Sequence, residues 1–551
     1  MTPDAMPIGA IGRLSRAVFW ACAAYWAVYV LVAPVTNVDS QMYNIARLEL
    51  ALRGGLFGNG HFTSVYQVIW PWAFDAVHLP FLQLGWGYAF PSFACLMGTC
   101  YVAFAMIRPR FGTDAAWTAV TALMGLTCLV YQGTSTKNDI PILFCGAVWA
   151  YALARWRQER NGYHVFWMVV AVGFMAGSKT TGVLYGAVLG LWTLWEVRLE
   201  RAFAIRVLAG LAAAALLLGS AETYVESLRL FGHPLGPPRT VDGLRNTDGV
   251  RGAAANLSRY VAGSLYVGPS LGDATPDAVR RVAGAEESFL RWAGIADAGT
   301  DESLRNRTAY FVQSGFEEAS GYGPVGTVAM ATALAACLVW QPRKAWWRLA
   351  AAALLGFVVV SATIAFTYWA NRYLVCWYAL GTLAFVCALW ESETAFRRAG
   401  RWLFLAVAAS SAVAAPLLSF NRGPAGIAAS LRNRDAFETG YFPIVGKVRE
   451  RLRALRAADA QSRIFFIVRN TTAVLPILED RKLDAILVTP SEFALLLSTG
   501  QVAKGDIVVN DSTMTYPGLS PVETVSAPDA EEAGLVRTQV IYRVAQVAPA
   551  P

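Results

Sequence analysis

The stretch YLVCWYALGTLAFVCALW, residues 373–390, runs without a charge between Arg372 and Glu391. About 20 apolar residues cross a bilayer as a helix. In hydrocarbon, only a helix or a closed barrel satisfies every backbone N–H and C=O. The same texture recurs outward in both directions, near 17–34, 82–107, 114–131, 139–154, 164–177, 181–196, 203–221, 324–340, 346–367 and 402–419. Composition agrees, because 56% of the 551 residues are hydrophobic and only 15% charged, against nearer a quarter charged in soluble domains. The expected architecture is an all-α polytopic membrane domain of about eleven transmembrane helices.

The formal net charge of +8 does not point to nucleic acid, since the basic residues sit in short clusters between apolar runs. Arg13/Arg16, Arg108/Arg110, Arg155/Arg157/Arg160, Arg198/Arg201/Arg206, Arg343/Lys344/Arg348 and Arg397/Arg398/Arg401 occupy alternate connections. The intervening short connections hold few cations. Lys and Arg accumulate on the cytoplasmic side, so the N-terminus is expected inside and the C-terminus outside. The run behind Arg13 and Arg16 resembles a signal peptide, but it has no clear small-residue cleavage site and many spans follow, so it reads as an uncleaved first helix. Cys22, Cys95, Cys100, Cys128, Cys145, Cys337, Cys376 and Cys387 all lie in apolar runs without CxxC spacing, which argues against a structural zinc site.

The alternation divides the chain into a membrane domain, 1–420, with outer loops 35–81 and 222–323, and an extracytoplasmic tail, 421–551. In the tail an amphipathic helix is expected over Val448–Ala460. Ile464–Val468, Leu483–Val488, Asp506–Asn510 and Gln539–Val544 read as short strands, together a small α/β domain.

Polar groups at the mouth of a membrane bundle are costly and usually functional. Asp39, Tyr43 and Arg47 are spaced four apart in Asp39-Ser40-Gln41-Met42-Tyr43-Asn44-Ile45-Ala46-Arg47, which puts them on one face of a helix expected over 39–53. Asp39 suits a general base; equally, Asp is a favoured helix N-cap. Thr136-Lys137-Asn138-Asp139 brings an ammonium and a carboxylate to the start of a span. It reads either as a polar site or as a cap with Lys137 snorkelling to the interface. In Gly177-Ser178-Lys179-Thr180-Thr181-Gly182, Lys179 breaks the charge bias and is expected to meet an anion such as phosphate. The string lacks the spacing of a nucleotide phosphate loop, and no strand precedes it. Arg372, in Tyr368-Trp369-Ala370-Asn371-Arg372-Tyr373, offers a forked donor for phosphate or belongs to an aromatic belt. Glu222/Glu226 and Glu317/Glu318 are further carboxylate pairs that could assist catalysis or bind a cation, although most such pairs are solvated faces. Gly321-Tyr322-Gly323-Pro324-Val325-Gly326 matches GxGxxG by chance, as no strand precedes it.

These strings, together with Phe231-Gly232-His233-Pro234-Leu235-Gly236-Pro237 and Asn256, follow an order over the first 420 residues that resembles the GT-C glycosyltransferase superfamily, specifically its bacterial RgtA/B/C/D-like group (family 39/83-like). The chain departs from that pattern at Asn44 and Ala46, where relatives carry His and Pro. The resemblance implies a GT-C-like membrane domain in a bacterial cytoplasmic (inner) membrane, working on the periplasmic side. It implies transfer of a hexose or pentose from a polyprenyl-phosphate donor to a glycan, lipid or protein acceptor. It implies Asp39 as catalytic base and Asp139 as support for the acceptor or the reaction centre. Tyr43, Arg47, Lys137, Asn138, Lys179 and Arg372 are the candidate substrate contacts. Relatives differ over dependence on a divalent metal, and none is assigned. Two readings compete: a flippase or transporter of lipid-linked saccharides, which would need polar groups at mid-membrane depth, and a non-catalytic scaffold for envelope assembly. The near-absence of charge in the middle of the spans favours the enzyme.

Overall fold

The computed structural model describes residues 8–33, 43–52, 70–197, 201–218, 220–264, 276–299, 321–366, 370–418, 422–432, 443–467, 480, 482–488, 490–511, 516, 518–526 and 538–545. The chain forms two compact units. One comprises Met1–Leu31 and Ala89–Ile427, the other Val32–Tyr88 and Ala428–Pro551. The described residues between 32 and 88 cluster with the tail unit.

The first unit is helical: α1 Ala10–Val32, α2 Phe90–Met124, α3 Thr127–Gly133, α4 Asp139–Glu159, α5 Gly162–Ser178, α6 Thr180–Val197, α7 Arg201–Leu218, α8 Ala221–Phe231, α9 Gly249–Ser264, α10 Gly323–Leu338, α11 Ala345–Thr363, α12 Val375–Trp390 and α13 Ala395–Leu418. Among the described residues, five helical stretches are long and apolar enough to cross a membrane: Ala10–Val32, Phe90–Met124, Ala345–Thr363, Asn371–Trp390 and Ala395–Leu417. Gly162–Ser178, Thr180–Leu191, Ile205–Ala214 and Gly323–Leu338 are shorter apolar helices.

Several boundaries differ from the sequence expectation, each for a local reason. The span expected from 82 begins at Phe90, because Gly85 and Gly87 take positive φ and Pro91 suits the first turn of the new helix. The α2 run is broken at Gly112 (φ 86°, ψ 173°), close to Pro109 and the basic pair Arg108/Arg110, as expected for the link between two runs. The run to 221 ends at Leu218, and Ser220 (φ 47°) precedes α8. After Thr363 the backbone turns extended: Ile364 bridges Arg245, and Asn246 donates its N–H to the Thr363 carbonyl at 3.1 Å.

Lipid supplies no hydrophobic drive between helices, so small residues and interhelical hydrogen bonds do the joining. A β-carbon at Gly173 would stand 2.5 Å from Ala214 Cβ, so only glycine lets α5 and α7 approach as they do. At Gly381 the corresponding clash would be with the Ala329 carbonyl oxygen at 2.6 Å, across the α10–α12 contact. Thr121 Oγ1 donates to the Ser15 carbonyl (2.8 Å), Tyr131 OH to the Ala415 carbonyl (2.7 Å) and Trp149 Nε1 to Thr193 Oγ1 (2.7 Å).

The second unit contains a five-stranded mixed sheet: β1 Ile464–Ile467, β2 Ile486–Val488, β3 Ile507–Asp511, β4 Leu519–Ser526 and β5 Thr538–Val544, in the order β2-β1-β3-β5-β4. β1 runs parallel to β2 and β3, whereas β5 is antiparallel to β3 and β4. This is the α/β tail expected from the strand pattern, with one strand more. β4 escaped the sequence reading because Pro521 sits within it; proline is tolerated on an edge strand, and β4 is an edge, with a register shift between Pro521 and Glu523. The helices Pro443–Ala458 and Pro490–Ser498 cover the sheet. The first-loop helix, Ile45–Leu52, packs with it too. Tyr43 and Asn44 form a wider helical turn before it, and residues 39–42 and 53 of the helix expected over 39–53 lie outside the described residues.

Overpacking a close helix contact costs about 1–3 kcal/mol. Gly381→Val is therefore expected to lower the midpoint of thermal unfolding in detergent, by forcing α10 from α12. An unchanged midpoint would contradict the tight contact.

Candidate functional site

Asp139 is the first residue of α4, and Lys179 is the single extended residue (φ −163°, ψ 149°) between α5 and α6. Lys179 Nζ donates to Asp139 Oδ1 at 2.6 Å. The carboxylate side chain is 3% exposed and the lysine 17%. Neither charge could be buried here alone, because taking one ion out of water costs several kcal/mol. The pairing thus ties the start of α4 to the α5–α6 turn. The turn is tight by construction: Gly182 donates its N–H to the Lys179 carbonyl (2.8 Å), and a β-carbon at 182 would stand 2.0 Å from the Met175 carbonyl oxygen.

Asn138 and Asp139 are not side-chain caps. No side-chain bond caps α4, and Asn138 Nδ2 reaches across to the Ser178 carbonyl at 2.8 Å. Lys137 is buried, 1% exposed, which removes the snorkelling alternative; its carbonyl accepts from Ser92 Oγ at 3.4 Å. Asp139 Oδ2 is buried and has no hydrogen-bond partner among the described residues.

The third component arrives on the short turn Ala370–Leu374 that precedes α12. Lys179 Nζ lies 5.0 Å from the centroid of the Tyr373 ring, and the Arg372 guanidinium carbon lies 5.4 Å from the same centroid. Tyr185 OH fixes that turn by donating to the Tyr373 carbonyl (2.6 Å), and Tyr322 OH donates to the Asn371 carbonyl (2.5 Å). Two cations face one aromatic ring, an arrangement favoured by the ring's negative face. The structure therefore brings Asp139, Lys179 and Arg372 together around Tyr373, with Asn138 and Lys137 in the adjoining turn.

Asp39 lies outside the described residues, as do Tyr368, Trp369 and the Glu317/Glu318 pair. Tyr43 and Arg47 lie in the second unit. Tyr43 stacks edge-on against Trp70, with centroids 4.4 Å apart. Arg47 is buried against Asp75 and donates to the Trp70 carbonyl at 2.6 Å. The same environment buries His78, pushing its imidazole down to about 4 while Nδ1 meets the Tyr88 carbonyl at 2.6 Å. Glu226 pairs only loosely with Arg229, at 3.8 Å on the surface, as expected of a solvated face. Asn256 is a stitch between elements: Nδ2 donates to the Ser361 and Ile364 carbonyls, both at 3.1 Å.

Sequence reasoning missed Arg422. It is 2% exposed, donates from Nη1 to the Tyr131 carbonyl and Thr134 Oγ1 (both 2.9 Å), and stands 4.7 Å from the Tyr131 ring. The available signal was an arginine just past the last apolar run, on the side poor in cations. Arg422 anchors the chain just before Lys137–Asp139. Glu286, in the segment between α9 and α10, is raised to about 7 by burial, partly offset by Arg259. Among the described residues no three His, Cys, Asp or Glu side chains cluster as metal ligands.

Residues 68–224 match the model of a family described as dolichyl-phosphate-mannose-protein mannosyltransferase. The matched segment carries Lys137, Asn138, Asp139 and Lys179, and the match bears out the resemblance to GT-C membrane glycosyltransferases. Two solved structures are similar, both of ArnT from Cupriavidus metallidurans, one bound to undecaprenyl phosphate and one in the apo state. Each is 16% identical with a TM-score of 0.49; the first covers 98% of this chain and 99% of its own, the second 97% and 98%. None of the curated proteins matches the chain.

Breaking a buried ion pair by removing one partner costs about 3–5 kcal/mol, whereas replacing both by apolar groups is often near neutral. Lys179→Met is expected to destabilise the protein strongly, and Lys179→Met with Asp139→Leu to recover most of that loss, as read from denaturant unfolding in detergent. Additive losses would show that the two side chains do not depend on each other.

Proposed function

We propose that this chain is a GT-C-type membrane glycosyltransferase that moves a hexose or pentose from a polyprenyl-phosphate donor onto a glycan, lipid or protein acceptor, at the outer face of a bacterial cytoplasmic membrane. The observation that carries the reading is the buried Asp139–Lys179 pair beside Arg372 and Tyr373. The matched family acts with sugar on dolichyl phosphate, a polyisoprenyl phosphate, and that donor class suits two cations held at the ends of apolar helices. The hydrocarbon tail stays among the helices while the phosphate meets the cations.

In this mechanism Lys179 and Arg372 hold the donor phosphate and stabilise the charge that grows on it as it leaves. Groups fixed in place before reaction stabilise such charge best. Asp139 holds Lys179 in position. Asp39 takes the proton of the acceptor hydroxyl. The acceptor oxygen then forms a bond to the sugar's anomeric carbon as the carbon–oxygen bond to phosphate breaks, so the products are an inverted glycoside and free polyprenyl phosphate. Lys137 and Asn138 shape the wall beside the reaction centre. The reading takes all eleven apolar runs as spans, with the N-terminus cytoplasmic and the tail outside; the alternating Lys/Arg clusters support that topology.

Loss of a general base typically costs about 10²–10⁴ in rate. Asp39→Asn is expected to lose turnover by that factor in proteoliposomes offered a panel of polyprenyl-phosphate sugars, with unfolding and polyprenyl phosphate binding unchanged. Full turnover in Asp39→Asn would overturn the assignment of the base. Mass spectrometry of envelope glycans from a deletion strain would then identify the acceptor.

A further inference from the structure

The link from Thr134 to Asn138 joins α3 to α4 and carries Lys137 and Asn138 to the helix that Asp139 opens. Thr134, Ser135, Thr136, Lys137 and Asn138 are all buried. The far end of the link is held, because Asn138 Nδ2 reaches the Ser178 carbonyl and Asp139 meets Lys179. The near end needs holding too, since the last carbonyls of a helix have no partner within it. Ser135 Oγ serves the Gln132 carbonyl at 3.0 Å, and Thr134 Oγ1 the Val130 carbonyl at 2.9 Å. The Tyr131 carbonyl accepts from a residue far along the chain. Arg422 Nη1 donates to it at 2.9 Å, and to Thr134 Oγ1 at the same distance.

Arg422 sits in a built pocket. Its guanidinium carbon lies 4.7 Å from the Tyr131 ring centroid and 5.8 Å from that of Tyr29 on α1. Trp26 stands edge-on to both rings, at 5.6 Å from Tyr29 and 6.3 Å from Tyr131. Tyr25 OH donates to the Arg422 carbonyl. Aromatic faces attract a cation, more strongly out of water, and the C-terminus of a helix presents the negative end of its dipole. A charge is nonetheless a costly way to fill an apolar pocket. What the arginine adds is direction: it sets where the chain leaves α3.

We propose that Arg422 is a positioning residue for phosphate recognition. By pinning the end of α3 it sets the path of residues 134–138, and with it the place where Asp139 meets Lys179. It acts through Thr134 and the Tyr131 carbonyl, without touching substrate. This inference rests on Lys179 and Arg372 receiving the donor's phosphate.

The test compares binding of a polyprenyl phosphate and of the matching polyprenol to the full-length protein in lipid nanodiscs. Arg422→Met is expected to cut the preference for the phosphate about fivefold, with polyprenol affinity within about twofold of the wild type. It is also expected to speed amide hydrogen exchange over 134–140. Thr134→Ala removes one acceptor and keeps the charge; it is expected to act in the same direction, about threefold. Arg401 is the control: also buried, it donates from Nε to the Leu389 carbonyl at 3.0 Å, at the C-terminal end of α12. Arg401→Met is expected to leave the preference and that exchange within about twofold. An unchanged preference in Arg422→Met would overturn the proposal, as would an equal loss in Arg401→Met. A loss in Arg422→Met with none in Thr134→Ala would also overturn it, by showing that the charge matters and the position does not. Should Arg422→Met fail to fold, Thr134→Ala against Arg401→Met decides. A wild type that binds both lipids alike would refute the phosphate reading itself. The exchange comparison needs no ligand and would still decide whether Arg422 fixes the link.

Discussion

Two opposite charges buried among apolar helices cannot be placed independently. Asp139 and Lys179 each need the other to leave water, and the 2.6 Å contact fixes the beginning of α4 against the α5–α6 turn. Around that contact the remaining polar groups fall into order. Asn138 reaches Ser178, Lys179 faces Tyr373, and Arg372 faces the same ring. Helices joined mainly by small residues and scattered hydrogen bonds gain a fixed polar centre this way. A phosphate group entering beside Lys179 would add a second anion to a site already balanced, with Arg372 supplying the further positive charge.

The helical layout was legible because hydrocarbon imposes one strong rule: long apolar runs must be helices. That rule locates runs and not ends. Gly85, Gly112 and Ser220 set the breaks by their positive φ, a property the apolar pattern does not carry. The tail's strands at 464–467, 507–511 and 538–544 showed through their β-branched and aromatic runs, whereas β4 hid behind Pro521.

The site was legible as separate strings. Lys179 stood out against the charge bias, and Asp139 because a carboxylate rarely opens a span. That the two meet is a tertiary fact, forty residues apart, with no trace in local spacing. Arg47 shows the converse: its four-residue spacing from Tyr43 suggested a shared working face, but Asp75, which closes over it, lies on a segment whose pairing no local pattern reveals. Nor could the pattern show that the first loop and the tail fold as one unit. Ala46 and Leu50 look like ordinary helix residues until the sheet face they complete is known.

The central claim is that Lys179, held by Asp139, and Arg372 together receive the donor's phosphate. The most direct measurement compares the affinity of the full-length protein for a polyprenyl phosphate with that for the uncharged polyprenol of the same length, in the wild type and in a variant that replaces Asp139, Lys179 and Arg372 by uncharged residues. The account predicts that the phosphate raises affinity about tenfold or more in the wild type, and that the two lipids bind within about twofold of each other in the variant. A variant that still prefers the phosphate as strongly as the wild type would contradict it.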